Sequence, residues 1–327
     1  MNEELVAWLL EGASWIEYRT RIDLLDQSEN DPQVIDAYDA MLAHPNIKNL
    51  ITELSDWPGP ILNSHKKASH HLHKLGFLAD IGLKADNPGI AKVIQRISQY
   101  KSPEGLFQVL VNIKPGFGGT GEDQLAWMLC DAPLVTYALV KFGKGKNTEV
   151  QNAINYLVDL ERENGWPCAV TPDLGKFRGP GRKSDPCPYA NLLMLQLLAQ
   201  FPEKHNDSAV KIGAETLLSL WEQRKERRPY LFAIGTDFSK LKAPMIWYDI
   251  LHVTDVLTQI PWVIEDKRLQ EMLEVVTNKA DEKGRFMAES IWMDWRGWEF
   301  GQKKEPSRWI TLVVQRILKR SIVQKVT

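Results

Sequence analysis

The helical run Glu149 to Leu160, the turn Glu163-Asn164-Gly165-Trp166-Pro167-Cys168 and the helical run Tyr189 to Phe201 together decide the fold. In the first run, apolar residues fall on one stripe at helical spacing and polar residues cover the rest. The second run is apolar nearly all round, the pattern of a helix surrounded by protein. Between them, a glycine permits the left-handed backbone that ends a helix, and the aromatic after it can plug the gap between neighbouring helix ends.

Working outward, a Gly or Pro with an aromatic recurs at Trp57-Pro58-Gly59, Glu104-Gly105-Leu106-Phe107, Arg228-Pro229-Tyr230 and Lys283-Gly284-Arg285-Phe286, at spacings of about 46 to 64 residues. A repeat of that length holds two helices. Single helices are expected at Glu4 to Leu10, Trp15 to Leu25, Val34 to Leu54, His70 to Leu83, Ile90 to Ser98, Asp123 to Phe142, Ala209 to Glu226, Met245 to Ile260, Lys267 to Lys279 and Arg308 to Lys319, and no alternating strand pattern is evident. Six such pairs, each burying its apolar helix against the next, can curl until the last meets the first. The expectation is an all-α chain, an α/α toroid of about six helix pairs around a central cavity, with an open helical solenoid as the alternative.

Composition agrees with a folded globule: 327 residues, 44% hydrophobic and 25% charged. Forty basic against forty-two acidic residues leave a net charge of −2, which removes the general basic field of a nucleic-acid binder. No apolar run is long enough to span a membrane and the first ten residues lack the positive start of a secretory signal, so a cytoplasmic location is expected. No Pro/Gly/Ser-rich linker divides the chain, which reads as one domain over residues 1–327. Long loops at Lys114 to Glu122, Asp173 to Pro188 and Phe232 to Pro244 precede buried helices, and loops of that kind tend to carry function.

Tandem helix pairs punctuated by a Gly-aromatic turn resemble the prenyltransferase and squalene cyclase superfamily. The sharpest stretches are Glu163 to Cys168, Asp185-Pro186-Cys187-Pro188-Tyr189, Tyr248-Asp249-Ile250-Leu251-His252 and Pro306 to Leu312, and they look like an uncharacterised bacterial branch. The Asp-x-Asp-Asp tetrad with which class II terpene cyclases protonate their substrate is absent, so squalene-type cyclisation is not expected. The protein prenyltransferases of this superfamily hold zinc with an Asp and a Cys one residue apart and a His on the next inner helix. Asp185, Cys187 and His252 match that type and order. These enzymes need a helical partner subunit, of which this chain gives no sign, so a protein acceptor is not expected.

Within such a ring, neighbouring helices can bring Cys130, Cys168, Cys187 and His252 together as a Cys3His zinc set, with Asp185 able to replace one thiolate. Separations of 38, 19 and 65 residues are not a zinc-finger spacing, and two alternatives stay open: inert buried thiols, or a reactive thiol without metal. Lys176, Arg178, Arg182 and Lys183 in one loop, and Arg227 and Arg228 in a second, can form a rim for a diphosphate. Asp249 and Tyr248 lie beside His252 as candidate catalytic groups, Asp249 either orienting the imidazole, acting as a base, or simply starting a helix.

Three functions follow as expectations. The first is an enzyme binding a hydrophobic small molecule such as an isoprenoid diphosphate, with zinc as Lewis acid. The second is a non-catalytic toroid holding a lipid or peptide around a structural zinc. The third is a carbohydrate-active α/α toroid, in which twelve tryptophans stack on sugars and Asp123, Asp185, Asp249 or Asp255 supply a carboxylate pair.

Overall fold

A computed structural model describes residues 2–177, 179–226 and 230–323. In chain order its helices begin with α1 (Glu3–Leu10), α2 (Ser14–Arg19), α3 (Pro32–Ala43), α4 (Pro45–Leu54), α5 (His71–Asp80) and α6 (Ile90–Gln99). Two short strands, β1 (Val109–Val111) and β2 (Gln124–Ala126), pair antiparallel with Leu110 opposite Leu125. Then come α7 (Ala132–Leu139), α8 (Thr148–Asp159), α9 (Pro188–Leu198), α10 (Ser208–Glu222), α11 (Ile250–Leu257), α12 (Lys267–Thr277) and α13 (Arg308–Val323).

The alternation read from sequence is present. Every residue of α7, α9 and α11 is buried, whereas α6 buries Ile90, Val93 and Ile97, and α8 buries Val150, Ala153, Ile154 and Leu157. Those are single stripes at i, i+3, i+4 and i+7. The turn after α8 works as its residues require. Gly165 has φ +100, and a Cβ there would run into Asn191 Oδ1 and Thr216 Oγ1. Trp166 is fully buried and its indole N–H donates to the Leu157 carbonyl, tying the turn back to α8.

Three expected spans differ. Val34 to Leu54 is two helices, because Pro45 starts α4 afresh and holds His44 in extended backbone at φ −64, ψ 131. Asp123 to Phe142 is not one helix: Gln124–Ala126 is strand, and α7 begins only at Ala132, with Pro133 in its first turn. Met245 to Ile260 shortens to α11, because Asp249 caps its start.

The chain divides into two compact units, residues 50–234 and residues 1–49 with 235–327. In the first, α5 packs on α7, α7 on α9 and α9 on α10. In the second, α11 packs on α12 and α13, α13 on α2, and α2 on α3. A buried ion network supports this second unit. Asp23 is bound by Arg19 and faced by Arg316, which also reaches Asp255 at 3.0 Å, and Arg320 meets Asp255 at 3.1 Å.

Candidate functional site

Polar groups in this fold collect at the N-terminal ends of the most buried helices. A helix start leaves backbone N–H groups without intrahelical partners, so an acceptor is favoured there. His70 precedes α5, Asp131 precedes α7, Cys187 precedes α9 and Asp249 precedes α11.

In the unit of residues 1–49 and 235–327, Asp249 is fully buried. Its Oδ1 accepts the backbone N–H of His252 at 3.0 Å, whereas Oδ2 makes no hydrogen bond. Burial pushes the carboxyl up, opposed by the charge of Lys242 and the capping N–H groups and aided by Asp237, to about 7. Lys242 is itself buried, 3.2 Å from Asp237 and 5.0 Å from the centre of the Trp292 ring. Asp237 is an exposed carboxylate that also meets Lys240 at 3.8 Å. The half-buried Tyr248 ring lies 4.7 Å from that of Trp247.

The expected partnership of Asp249 with the His252 imidazole is replaced by this cap. The carboxylate takes the backbone N–H of His252, and the ring Nδ1 lies 3.0 Å from the Trp247 carbonyl. Burial holds the imidazole neutral, its pKa below the usual histidine value.

In the unit of residues 50–234, the three cysteines converge. Cys187 is buried at the start of α9, and Cys130 lies in the turn before α7 rather than inside a helix as expected. The two thiols interact, which lowers Cys187 against the upward push of burial, aided by the Ala190 and Tyr189 N–H groups and by Tyr230, and raises Cys130, which burial pushes up further. Cys168 lies near Cys130 and Tyr230, and its sulfur receives the Gly179 N–H at 3.0 Å. The segments carrying Cys168 and Cys187 run side by side, with Cys187 N–H donating to the Trp166 carbonyl and Pro167 bridged to Pro186. One residue from Cys130, buried Asp131 faces His65 Nε2 at 3.6 Å; burial raises its carboxyl against the pull of His65. Neither His65 Nε2 nor Asp131 Oδ2 has a hydrogen-bond partner, and the Tyr189 ring stands edge-on to His65.

Thus the structure brings Cys130, Cys168 and Cys187 into one unit, and His252 belongs to the other. Among the described residues no three His, Cys, Asp or Glu side chains are arranged to hold a metal ion. Lys176, Arg182 and Lys183 are exposed in their loop; Arg178, Arg227 and Arg228 lie outside the described residues. Of the other carboxylates, Asp255 is fixed by two arginines, Asp123 is exposed beside Asn112, and Asp185 accepts the Arg182 N–H. Sequence reasoning missed His65, Asp131, Asp237 and Tyr230. Asp131-Ala132-Pro133, an acceptor residue just before a helix-starting proline, is the signal that identifies Asp131 as the counterpart of Asp249.

No family model and no curated protein matches this sequence. Seven solved chains match in structure. One is the unsaturated glucuronyl hydrolase from Bacillus sp. GL1, described as responsible for the degradation of glycosaminoglycan. The two share 11% identity over 94% of this chain and 84% of that one, at a TM-score of 0.50. That likeness concerns fold alone. It places the chain in the all-α class, among α/α toroids, and does not single out the prenyltransferase and squalene cyclase branch. No described helix is long and apolar enough to cross a membrane.

Proposed function

We propose that this protein is a carbohydrate-active α/α toroid that hydrolyses a glycosidic bond, with Asp249 as its general acid. The observation that carries the reading is the state of this one carboxyl. A group with a pKa of about 7 and an oxygen without a hydrogen-bond partner keeps its proton in about half of the molecules at pH 7 and can release it to a leaving oxygen. Asp237, within electrostatic reach of Asp249 and paired with Lys242 and Lys240, is the second carboxyl that a glycoside hydrolysis requires. Two carboxyls in unlike surroundings, one buried and one exposed beside cations, can divide the acid and base roles between them. Trp247 and Tyr248 offer aromatic faces next to the acid in sequence, and sugars stack on such faces. The fold likeness to a hydrolase acting in glycosaminoglycan degradation supports the substrate class.

In the proposed step, the Asp249 O–H proton passes to the glycosidic oxygen as the C–O bond breaks, and water adds to the sugar carbon. Asp237 accepts the proton of that water, and exchange with solvent restores both groups. The isoprenoid diphosphate reading has less to rest on, since half of its six basic residues lie outside the described residues and the other three are exposed.

The test is turnover of a panel of oligosaccharides, unsaturated uronyl and neutral, by the wild type, Asp249→Asn and Asp237→Asn. Each variant should lower kcat about 10²-fold or more. No turnover of any member by the wild type, or a wild-type rate in Asp249→Asn, overturns the proposal.

A further inference from the structure

The loop ahead of Asp249 carries a charge arrangement that capping α11 does not need. Lys242 is 5% exposed, and a buried ammonium has three N–H groups to satisfy. It donates to Asp237 Oδ2 at 3.2 Å and lies 5.0 Å from the centre of the Trp292 ring; among the described residues no second oxygen accepts from it. Asp237 is exposed, so this ammonium lies just beneath the surface and not deep in the core. The other oxygen of the same carboxylate meets Lys240 at 3.8 Å, so two cations share one anion. Glu289 is already engaged, by the Leu241 N–H at 2.9 Å and by Lys279 at 2.8 Å. The local balance is an excess of positive charge with unused donors. Its parts are fixed in place: the Glu289 N–H donates to the Leu241 carbonyl at 2.9 Å, and the indole N–H of half-buried Trp292 donates to the Pro244 carbonyl at 3.1 Å. Lys242 therefore sits between two pinned residues of its loop, with an aromatic ring held against it.

We propose that Lys242 is the specificity-determining residue of this site and binds the carboxylate of an acidic sugar, with the Trp292 ring as the apolar wall beside it. The inference rests on the reading of Asp249 as the acid of a sugar hydrolase, and it names the sugar. A carboxylate takes the unused N–H groups of Lys242 in charge-assisted hydrogen bonds while Asp237 keeps its own. A neutral sugar leaves those buried donors unmet, and a site built around such a donor discriminates strongly against a ligand that cannot fill it. A small free anion meets the same charge but brings no ring to lie against the indole.

The experiment is an equilibrium titration of the full chain, at neutral pH and constant ionic strength, with a free hexuronic acid, its neutral amide, the matching hexose and acetate. None of these has a glycosidic bond to cleave, so binding is read whether or not the chain hydrolyses one. The wild type should bind the hexuronic acid about tenfold or more tighter than the amide, the hexose or acetate. Lys242→Met should bring the acid down to the level of the amide while leaving the two neutral sugars within about threefold of the wild type, which also shows that the variant is folded. Lys242→Gln gives the same reading where the methionine variant does not fold, and Lys242→Arg should keep most of the preference. Equal binding of acid and amide by the wild type, acetate binding as tightly as the acid, no saturable binding of either sugar, or a preference that survives Lys242→Met overturns the proposal. A preference for the acid without hydrolysis of any oligosaccharide overturns the role of Asp249 and leaves the carboxylate site standing, whereas hydrolysis without that preference overturns the carboxylate site alone.

Discussion

Asp249 shows how much one position can combine. Its first oxygen caps α11, which needs only an acceptor, and its second is buried with no hydrogen-bond partner, which the cap does not need. Asparagine keeps the cap and removes the charge. A carboxyl whose folded pKa is raised adds stability below its unfolded value, and that contribution is lost as pH rises through the folded value. Asp249→Asn should therefore gain stability on the wild type between about pH 4 and pH 7, approaching at most roughly 4 kcal/mol, with no further gain above. Urea midpoints of both proteins across that range measure it. A gap that stays constant with pH would show that Asp249 is not ionising in this window. In the sequence, Asp249 was legible as a candidate and its environment was not. Burial, Lys242 and Asp237 come from a loop and a helix start that periodicity does not position. The thiols were legible as a group for a related reason, since each lies near a Gly-aromatic turn or a helix start. His65 escaped because it sits in a loop with no motif around it.

At the scale of the element, the Gly165-Trp166 turn is the joint between α8 and α9, and Asn191 secures it. The Asn191 amide accepts the Trp166 N–H at 3.0 Å and donates to the carbonyls of Trp166, at 2.9 Å, and Cys187, at 2.8 Å. All of these groups are buried. Asn191→Ala should strand one donor and reduce the satisfaction of two acceptors, costing on the order of 3 kcal/mol, whereas Asn191→Asp should keep only the bond from Trp166 N–H and cost a comparable amount. Thermal melting reads both, and an alanine variant as stable as the wild type would remove Asn191 from this role. The glycine and the aromatic were visible in the sequence because only they suit a left-handed turn and a large gap. The asparagine was not, because it lies on the following helix and looks like an ordinary polar residue. The same limit explains the missed strand pair. Val109–Val111 and Gln124–Ala126 are too short to alternate visibly, and their pairing is long-range within the chain.

At the scale of the whole molecule, the groups moved by folding pull stability in opposite directions with pH. Burial raises Asp23 and Asp255, but their arginine partners overcome it and hold both below the usual carboxylate value. Such groups stabilise the fold above their unfolded pKa, and that stability is lost as pH falls through the lower folded value. Burial also depresses His70, to about 4, and His71 and His252 below the ordinary histidine value. The unfolded chain takes up protons on these imidazoles from about pH 6.5 downward, so they too favour unfolding on the acid side. Asp249 and Asp131, raised by burial, act the other way and favour unfolding as pH rises. Between about pH 4 and pH 6.5 the two trends offset one another in the wild type, and below about pH 4 only the destabilising one remains. The expected profile of Tm against pH is a shallow plateau with a steep acid edge. In Asp249→Asn one opposing group is gone, so Tm should climb more steeply than the wild type from about pH 4 to pH 6.5. Arg316→Ala leaves Asp23 and Asp255 each short of a cation, which should move the acid edge to higher pH and cost about 3–5 kcal/mol at neutral pH. Profiles in which Arg316→Ala keeps the wild-type acid edge would mean that this ion network does not set it.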